Sequence, residues 1–286
     1  MPPELIAILS AVLYALSFVL ARKGMRYSNS ATVTVVSLIA MSAMFGIPVA
    51  ILGVPSWNWT ALWLIVIAGT FQPFIRHLTY QGMQMIGAAR TGPLRATHPF
   101  WAGLIAVSLL GEVLTPRVFL GNVTVIAGIT AISWQRTQAR MEVSRWYVLL
   151  PMTAAFLAGV AFPLRRAALT LTPEPLFFAA VMGVVGLLVL GIAQAAPPLA
   201  QRYVWDRRAL WAFVWAGAFE SLGGAGILYA LNSGEVLVIA PITATLPMWI
   251  LLATVIFLRD MERVTRTTVL GTVLVVIGII LVTTAR

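Results

Sequence analysis

The chain has 286 residues, 60% of them hydrophobic and only 10% charged, with a net charge of +10, 22 glycines and 16 prolines. So little polar surface excludes a soluble globule of this size, and the arginines sit mostly in short connectors between apolar runs, which excludes a nucleic-acid role in favour of setting membrane orientation. With no cysteine and only two histidines, disulfides, thiolate chemistry and metal binding are not expected, and no cofactor is implied.

A bilayer core of roughly 30 Å needs about twenty apolar residues per helix. Cutting the chain at its polar and Gly/Pro connectors predicts ten spans, at 4–21, 31–52, 60–86, 89–111, 117–134, 146–168, 175–195, 209–231, 236–258 and 267–285. The first has no basic residue ahead of it and is matched by a later copy, so it reads as a retained helix and not a cleaved signal peptide. Arg22 with Lys23, and Arg165 with Arg166, are expected to end the first and sixth spans as interfacial anchors, and ten tryptophans suit an interfacial belt. The third and fourth spans run together through "MIGAARTG" with almost no loop.

Polar residues recur at helical spacing inside these spans. Gln72, Arg76 and Tyr80 are four apart in the third, as are His77 and Gln81, while Arg95, His98 and Trp101 are three apart in the fourth. Glu220 is the one acid expected at mid-membrane, in the eighth span, where "FESLGGAG" lets another helix or a ligand come close to the backbone.

The chain also repeats itself. "PLRATHPFW" at 93–101 aligns with "PITATLPMW" at 241–249, at an offset of 148, which also makes Gln72 and Glu220 counterparts. Glu112, Thr115, Gly121 and Gly128 match Glu262, Thr265, Gly271 and Gly278 at an offset of 150. The reading is one five-helix unit written twice, 1–142 and 143–286, joined at the charged linker "QRTQARMEVSR". Because five is odd, the second copy enters from the opposite side, giving an all-α membrane protein of two inverted repeats, the usual architecture of secondary transporters.

Two five-helix halves, each closing with a Pro-rich span, Glu-x-x-Thr and a helix with two spaced glycines, resemble the drug/metabolite transporter superfamily, in particular its EamA-type ten-helix members. The resemblance covers nearly the whole chain and is most specific at 93–128 and 241–278. It implies a multi-pass transporter of the bacterial inner (cytoplasmic) membrane, commonly an exporter of amino acids or other small metabolites, with substrate held between the halves. The superfamily's substrates are diverse, so membership alone names none. Connectors after odd-numbered spans hold thirteen Lys/Arg and the opposite side four (Arg117, Arg165, Arg166 and Arg286). By the positive-inside rule both termini face outward, whereas EamA-type proteins commonly keep them in the cytoplasm.

Arg76 and Arg95 remain inside spans, where each costs at least about 2.5 kcal/mol unless it faces protein or water. In one reading they form a positive lobe for a carboxylate or phosphate, with Gln72, Tyr80 and Trp101 beside them and Glu220 pairing an arginine or meeting a proton or a substrate amine. In the other they are a register-fixing Arg/Glu pair or snorkelling side chains. His77 and His98 either line the pathway or pack through hydrogen bonds. Pro73, Pro93, Pro99, Pro163, Pro241 and Pro247 are hinge candidates or static bends. Thr115 before Pro116 is a helix N-cap.

These features point to a secondary transporter, expected to export a small metabolite (an amino acid or an organic or phosphorylated anion) by alternating access. Its partners would be that small molecule and membrane lipid. A flippase for a lipid-linked or phosphate-bearing amphiphile is the alternative, and would open laterally between helices. A membrane-embedded enzyme would need a catalytic constellation, and the sequence carries no paired carboxylates on one helix, phosphate loop or G-x-S-x-G.

Overall fold

The apolar runs become helices in the computed structural model, which describes residues 1–86, 88–133, 145–196, 202–257 and 266–284. In the first half, α1 (Pro3–Gly24) starts on a proline, where no N–H is needed, and α2 (Ser30–Leu52) is capped by Asn29, whose side chain accepts from the Thr32 amide at 3.0 Å. α3 (Trp59–Ile86) is followed closely in the chain by α4 (Ala88–Arg95), and α5 (His98–Leu110) ends on Gly111 in the left-handed conformation (φ 66°). α6 (Pro116–Ser133) has the expected cap: Thr115 Oγ1 accepts from the Val118 amide at 3.3 Å. The second half runs through α7 (Leu149–Leu171), α8 (Pro175–Ala195), α9 (Arg207–Ser233, capped by Asp206), α10 (Val236–Thr243), α11 (Leu246–Phe257) and α12 (Arg266–Thr283). The boundary expected at 142/143, together with Arg136, Arg140, Arg259, Glu262, Arg263, Thr265 and Arg286, lies outside the described residues.

Six of these helices (α1, α2, α3, α7, α8 and α9) are long and apolar enough to cross a bilayer, α7 together with the turn before it. The fourth and ninth spans, expected as continuous, are each broken into two helices, α4/α5 and α10/α11. The breaks fall at Ala96–Thr97 and Ala244–Thr245, 148 residues apart. Proline explains the position. Pro99 and Pro247 stand second in α5 and α11, where a missing N–H costs nothing. In an unbroken helix each ring would clash with the carbonyl four residues back, that of Arg95 or Thr243.

The outside of the bundle is apolar and bulky (Ile39, Phe74, Phe100, Leu188, Trp215), whereas many interior positions are small or hydroxylated (Ser10, Ser17, Thr34, Ser37, Ala158, Ala216). That pattern belongs to lipid as solvent, where association relies on close backbone approach and not on hiding hydrocarbon. The halves pack by exchange: α1 lies on α9 as α7 lies on α3, and α5 lies on α7 as α11 lies on α1. Equivalent spans α6 and α12 meet through the expected glycines. A Cβ added at Gly128 would stand 2.7 Å from the Gly271 carbonyl oxygen, and one at Gly278 would stand 2.8 Å from that of Gly121. Low numbers in α6 therefore face high numbers in α12, so these equivalent helices run antiparallel and the halves have opposite directions.

Glu112, at the end of the fourth span, ties the halves together on one face. Its carboxylate accepts from the Val236 amide (2.8 Å) and the Leu237 amide (2.9 Å), satisfying the N-terminus of α10. Burial holds this carboxyl above the usual carboxylate range, against the two N–H bonds that favour its ionised form. A raised native value means the folded state keeps the proton longer, so stability falls as pH rises through the interval between the unfolded value and the native one. Thermal melts from about pH 4 to about pH 7 should show that slope in the wild type and lose it in Glu112→Gln. Glu112→Ala, which forfeits both bonds, should cost about 1 to 2 kcal/mol.

Candidate functional site

Where the fourth and ninth spans break, the two halves line a cavity of about 80 Å³, room for a few water molecules at about 30 Å³ each. Its wall is built from equivalent positions. Gln72 faces the space with Glu220, Thr79 with Ile227, Ala96 with Ala244 and His98 with Leu246, each pair 148 apart. Tyr14 with Ala158 and Phe18 with Phe162 are 144 apart, matching "SFVLARKG" at 17–24 to "AFPLRRAA" at 161–168. A space lined by both members of such pairs lies on the axis relating the halves.

The arginines next to those phenylalanines obey the same relation. Arg22 Nη1 donates to the Met83 carbonyl (3.3 Å), and Arg166 Nη1 donates to the carbonyls of Leu231 (2.7 Å) and Asn232 (2.9 Å), with Met83 and Leu231 again 148 apart. Both guanidinium groups thus serve carbonyls near the C-terminal ends of α3 and α9.

At the centre stands an ion contact between halves. Arg76, 4% exposed on α3, puts Nε 3.0 Å from Oε1 of Glu220, 9% exposed on α9. The approach is electrostatic without the alignment of a hydrogen bond at Nε. Tyr80, one turn beyond Arg76, donates its hydroxyl to Glu220 Oε2 at 2.8 Å. Arg76 Nη2 reaches Met41 Sδ at 3.3 Å, and Nη1 is buried without a partner. One edge of this guanidinium is therefore held by protein and another is not.

The expected cluster is largely brought together. Gln72, Arg76, Tyr80, Arg95, His98 and Glu220 all line the cavity. His98 Nδ1 lies 3.2 Å from the Arg95 carbonyl, the very oxygen freed ahead of Pro99, and Nε2 lies 3.3 Å from Thr243 Oγ1. It packs against the Phe162 ring at 5.2 Å and also lines the cavity. Trp101 does not join it. The break at Ala96–Thr97 resets the helical phase, so Trp101 turns to Phe100, Phe156 and Gly159 instead. His77, on another face of α3, is also absent from the wall. The "FESLGGAG" glycines admit a helix: Gly223 and Gly224 face Tyr14 of α1.

Arg165 corrects the sequence reading. Expected as an interfacial anchor, it is 6% exposed and lines the cavity, with its guanidinium 5.8 Å from the Phe162 ring centre and a buried Nε that has no partner. The cause is helix length: α7 continues to Leu171, past the expected end at 168, so Arg165 lies well inside the span. Its counterpart Ala21 is fully buried, an inward-facing signal that the alignment of α1 with α7 would have supplied.

Replacing one member of a buried pair leaves the other charge uncompensated, at about 3 to 5 kcal/mol, whereas replacing both by apolar residues of similar volume is often neutral. Arg76→Met and Glu220→Leu are each expected to lower the melting temperature in detergent, and the double variant to recover most of the loss. A double variant as damaged as the sum of the singles would deny the pairing.

The wider comparisons agree with this architecture. The model of the EamA-like transporter family matches residues 1–134 and 145–284, one stretch in each half. No curated protein matches the chain. A solved crystal structure of a protein superposes with a TM-score of 0.77 at 18% identity, over 98% of this chain and 96% of the other, a likeness that shows the fold alone. With both halves matched almost end to end, the chain belongs to the EamA-like transporter family, membrane transporters of the drug/metabolite type.

Proposed function

We propose that this protein is a secondary transporter that exports a small metabolite from the cytoplasm by alternating access across the bacterial inner membrane, with both termini on the outer face. The observation that carries the reading is the Arg76/Glu220 contact, which joins opposite halves in a cavity on the axis relating them. A static bundle gains little from burying such charges, since an apolar pair of similar volume would serve as well. A carrier needs polar groups there to receive a solute stripped of water.

The arginines near the ends of α1 and α7 add support. They belong to opposite faces because the halves are inverted, yet Arg166 makes two short bonds and Arg22 one long one. Equivalent ties held unequally are what a symmetric machine has when one face is closed more tightly than the other. Glu112 strengthens the same face as Arg166, since the fourth and sixth spans both end there.

Purified protein in liposomes, screened with labelled amino acids and organic phosphates, should accumulate at least one of them. Arg76→Met and Glu220→Gln should each reduce that flux about tenfold or more, as expected when a charge-assisted contact worth about 1.5 kcal/mol or more is lost. Flux untouched by both would remove the pair from the site. A reporter fused after Arg286 should signal from the outer face, and a cytoplasmic signal would reverse the orientation given by the arginine count.

A further inference from the structure

The cavity wall is unbalanced in charge. Among the described residues that line it, three carry guanidinium groups (Arg76, Arg95 and Arg165) and one a carboxylate (Glu220). Glu220 is already engaged by Arg76 and Tyr80. No described carboxylate lies within ion-pair distance of Arg95 or Arg165. Arg165 rests over an aromatic face with its buried Nε unpartnered, and Arg76 Nη1 is likewise buried and unpartnered. Two positive charges thus face a space that holds only a few waters.

We infer that the substrate is a small dianion, a phosphate monoester or a dicarboxylate, whose two negative charges neutralise Arg95 and Arg165. The inference rests on the transport reading and narrows it. A zwitterionic amino acid would bring one carboxylate to two waiting guanidinium groups and an ammonium to an acid already occupied, so it leaves the wall charged. A dianion closes the balance. Arg95 and Arg165 come from different halves, on α4 and α7, so an ion between them also bridges the parts that must move together. Guanidinium suits both candidate chemistries, because its planar fork meets carboxylate and phosphate oxygens two at a time. Arg76 is tethered by Glu220 and Met41 and remains with the protein's own carboxylate.

The test is thermal stabilisation of the purified full-length protein in detergent, at matched ionic strength, by four probes: succinate, glycerol phosphate, lactate and alanine. Ligands that bind only the folded state raise its melting temperature with concentration. Because some anions stabilise proteins by exclusion alone, the quantity counted is the shift that disappears in Arg165→Gln and in Arg95→Gln. A dianion should give such a shift, with binding weakened about 10- to 100-fold in either variant. Arg165→Lys, which keeps the charge and loses the fork, should fall between. Without ligand, both Gln variants should melt at or above the wild type, since each removes a cavity-lining charge that no described carboxylate pairs in the empty protein.

A variant-sensitive shift with alanine but not with the dianions would overturn the inference, as would no variant-sensitive shift with any probe. Gln variants that melt below the wild type without ligand would also overturn it, by making the arginines structural. Transport is judged apart from this: a dianion that binds through Arg95 and Arg165 but is not carried in liposomes sinks the transport reading and leaves the site. Alanine flux lost in Arg76→Met would keep transport and sink the dianion.

Discussion

A carboxylate halfway along an apolar helix bundle cannot be left to lipid, and Glu220 fixes much of what surrounds it. Hydrocarbon offers no hydrogen bonds, so the acid must face protein or water, and at 9% exposure it faces protein. Both groups that meet it, Arg76 and Tyr80, come from the other half and reach across the cavity one helical turn apart on α3. Their reach requires α3 and α9 to present polar faces to the same space, while glycines at 223 and 224 let α1 close in behind. The desolvation cost of the pair is recovered only where each half holds its helices at this register. An electrostatic need at one point thereby constrains the relative position of two five-span units.

The duplicated sequence keeps its scaffold and diversifies its site. Retained in both copies are the residues that shape backbone: the Ala-Thr at each break, Pro99 and Pro247, the glycines joining α6 to α12, and the arginines that serve the ends of α3 and α9. Positions on the axis differ. Glu220 stands where the first half has Gln72, Arg95 where the second has Thr243, His98 where it has Leu246, and Arg165 where the first half has Ala21. The chemistry of the cavity is thus assembled from single departures within a symmetric frame. Even retained residues are held unequally: Arg166 makes two short bonds where Arg22 makes one long one.

Much of this was legible in the residues themselves. Apolar run lengths gave the spans, because a bilayer imposes a length that soluble folds do not. The odd count per repeat gave the opposed directions, and the four-residue spacing of Gln72, Arg76 and Tyr80 gave one wall of the site. Two things were hidden for a common reason. A span broken near its middle has the same composition as a continuous one, so although Pro99 and Pro247 marked candidate bends, the change of phase that carries Trp101 away cannot be read from periodicity. Arg165 sits next to Arg166, and a pair of arginines near a span end looks like an interfacial anchor until helix length and the burial of Ala21 assign the two to different surroundings.

The breaks themselves join backbone to function. Interrupted helix within a membrane leaves carbonyls and amides that lipid cannot satisfy, so it is stable only against protein or a wet cavity. Here the carbonyl released ahead of Pro99 is met by His98, and His98 in turn approaches Thr243, the residue at the end of the matching half-helix. The proline that forbids a continuous helix therefore supplies the opening, and the opening is lined by the residues bordering both breaks: Arg95, Ala96 and His98 on one side, Thr243, Ala244 and Leu246 on the other. Were the fourth span continuous, with a residue other than proline at 99, Arg95 would lie in a regular helical ladder with its carbonyl occupied and its guanidinium near the face of Trp101. Breaking the ladder separates the two, sending the arginine to the axis and the indole to the helix packing, and so places positive charge at mid-membrane without exposing it to hydrocarbon.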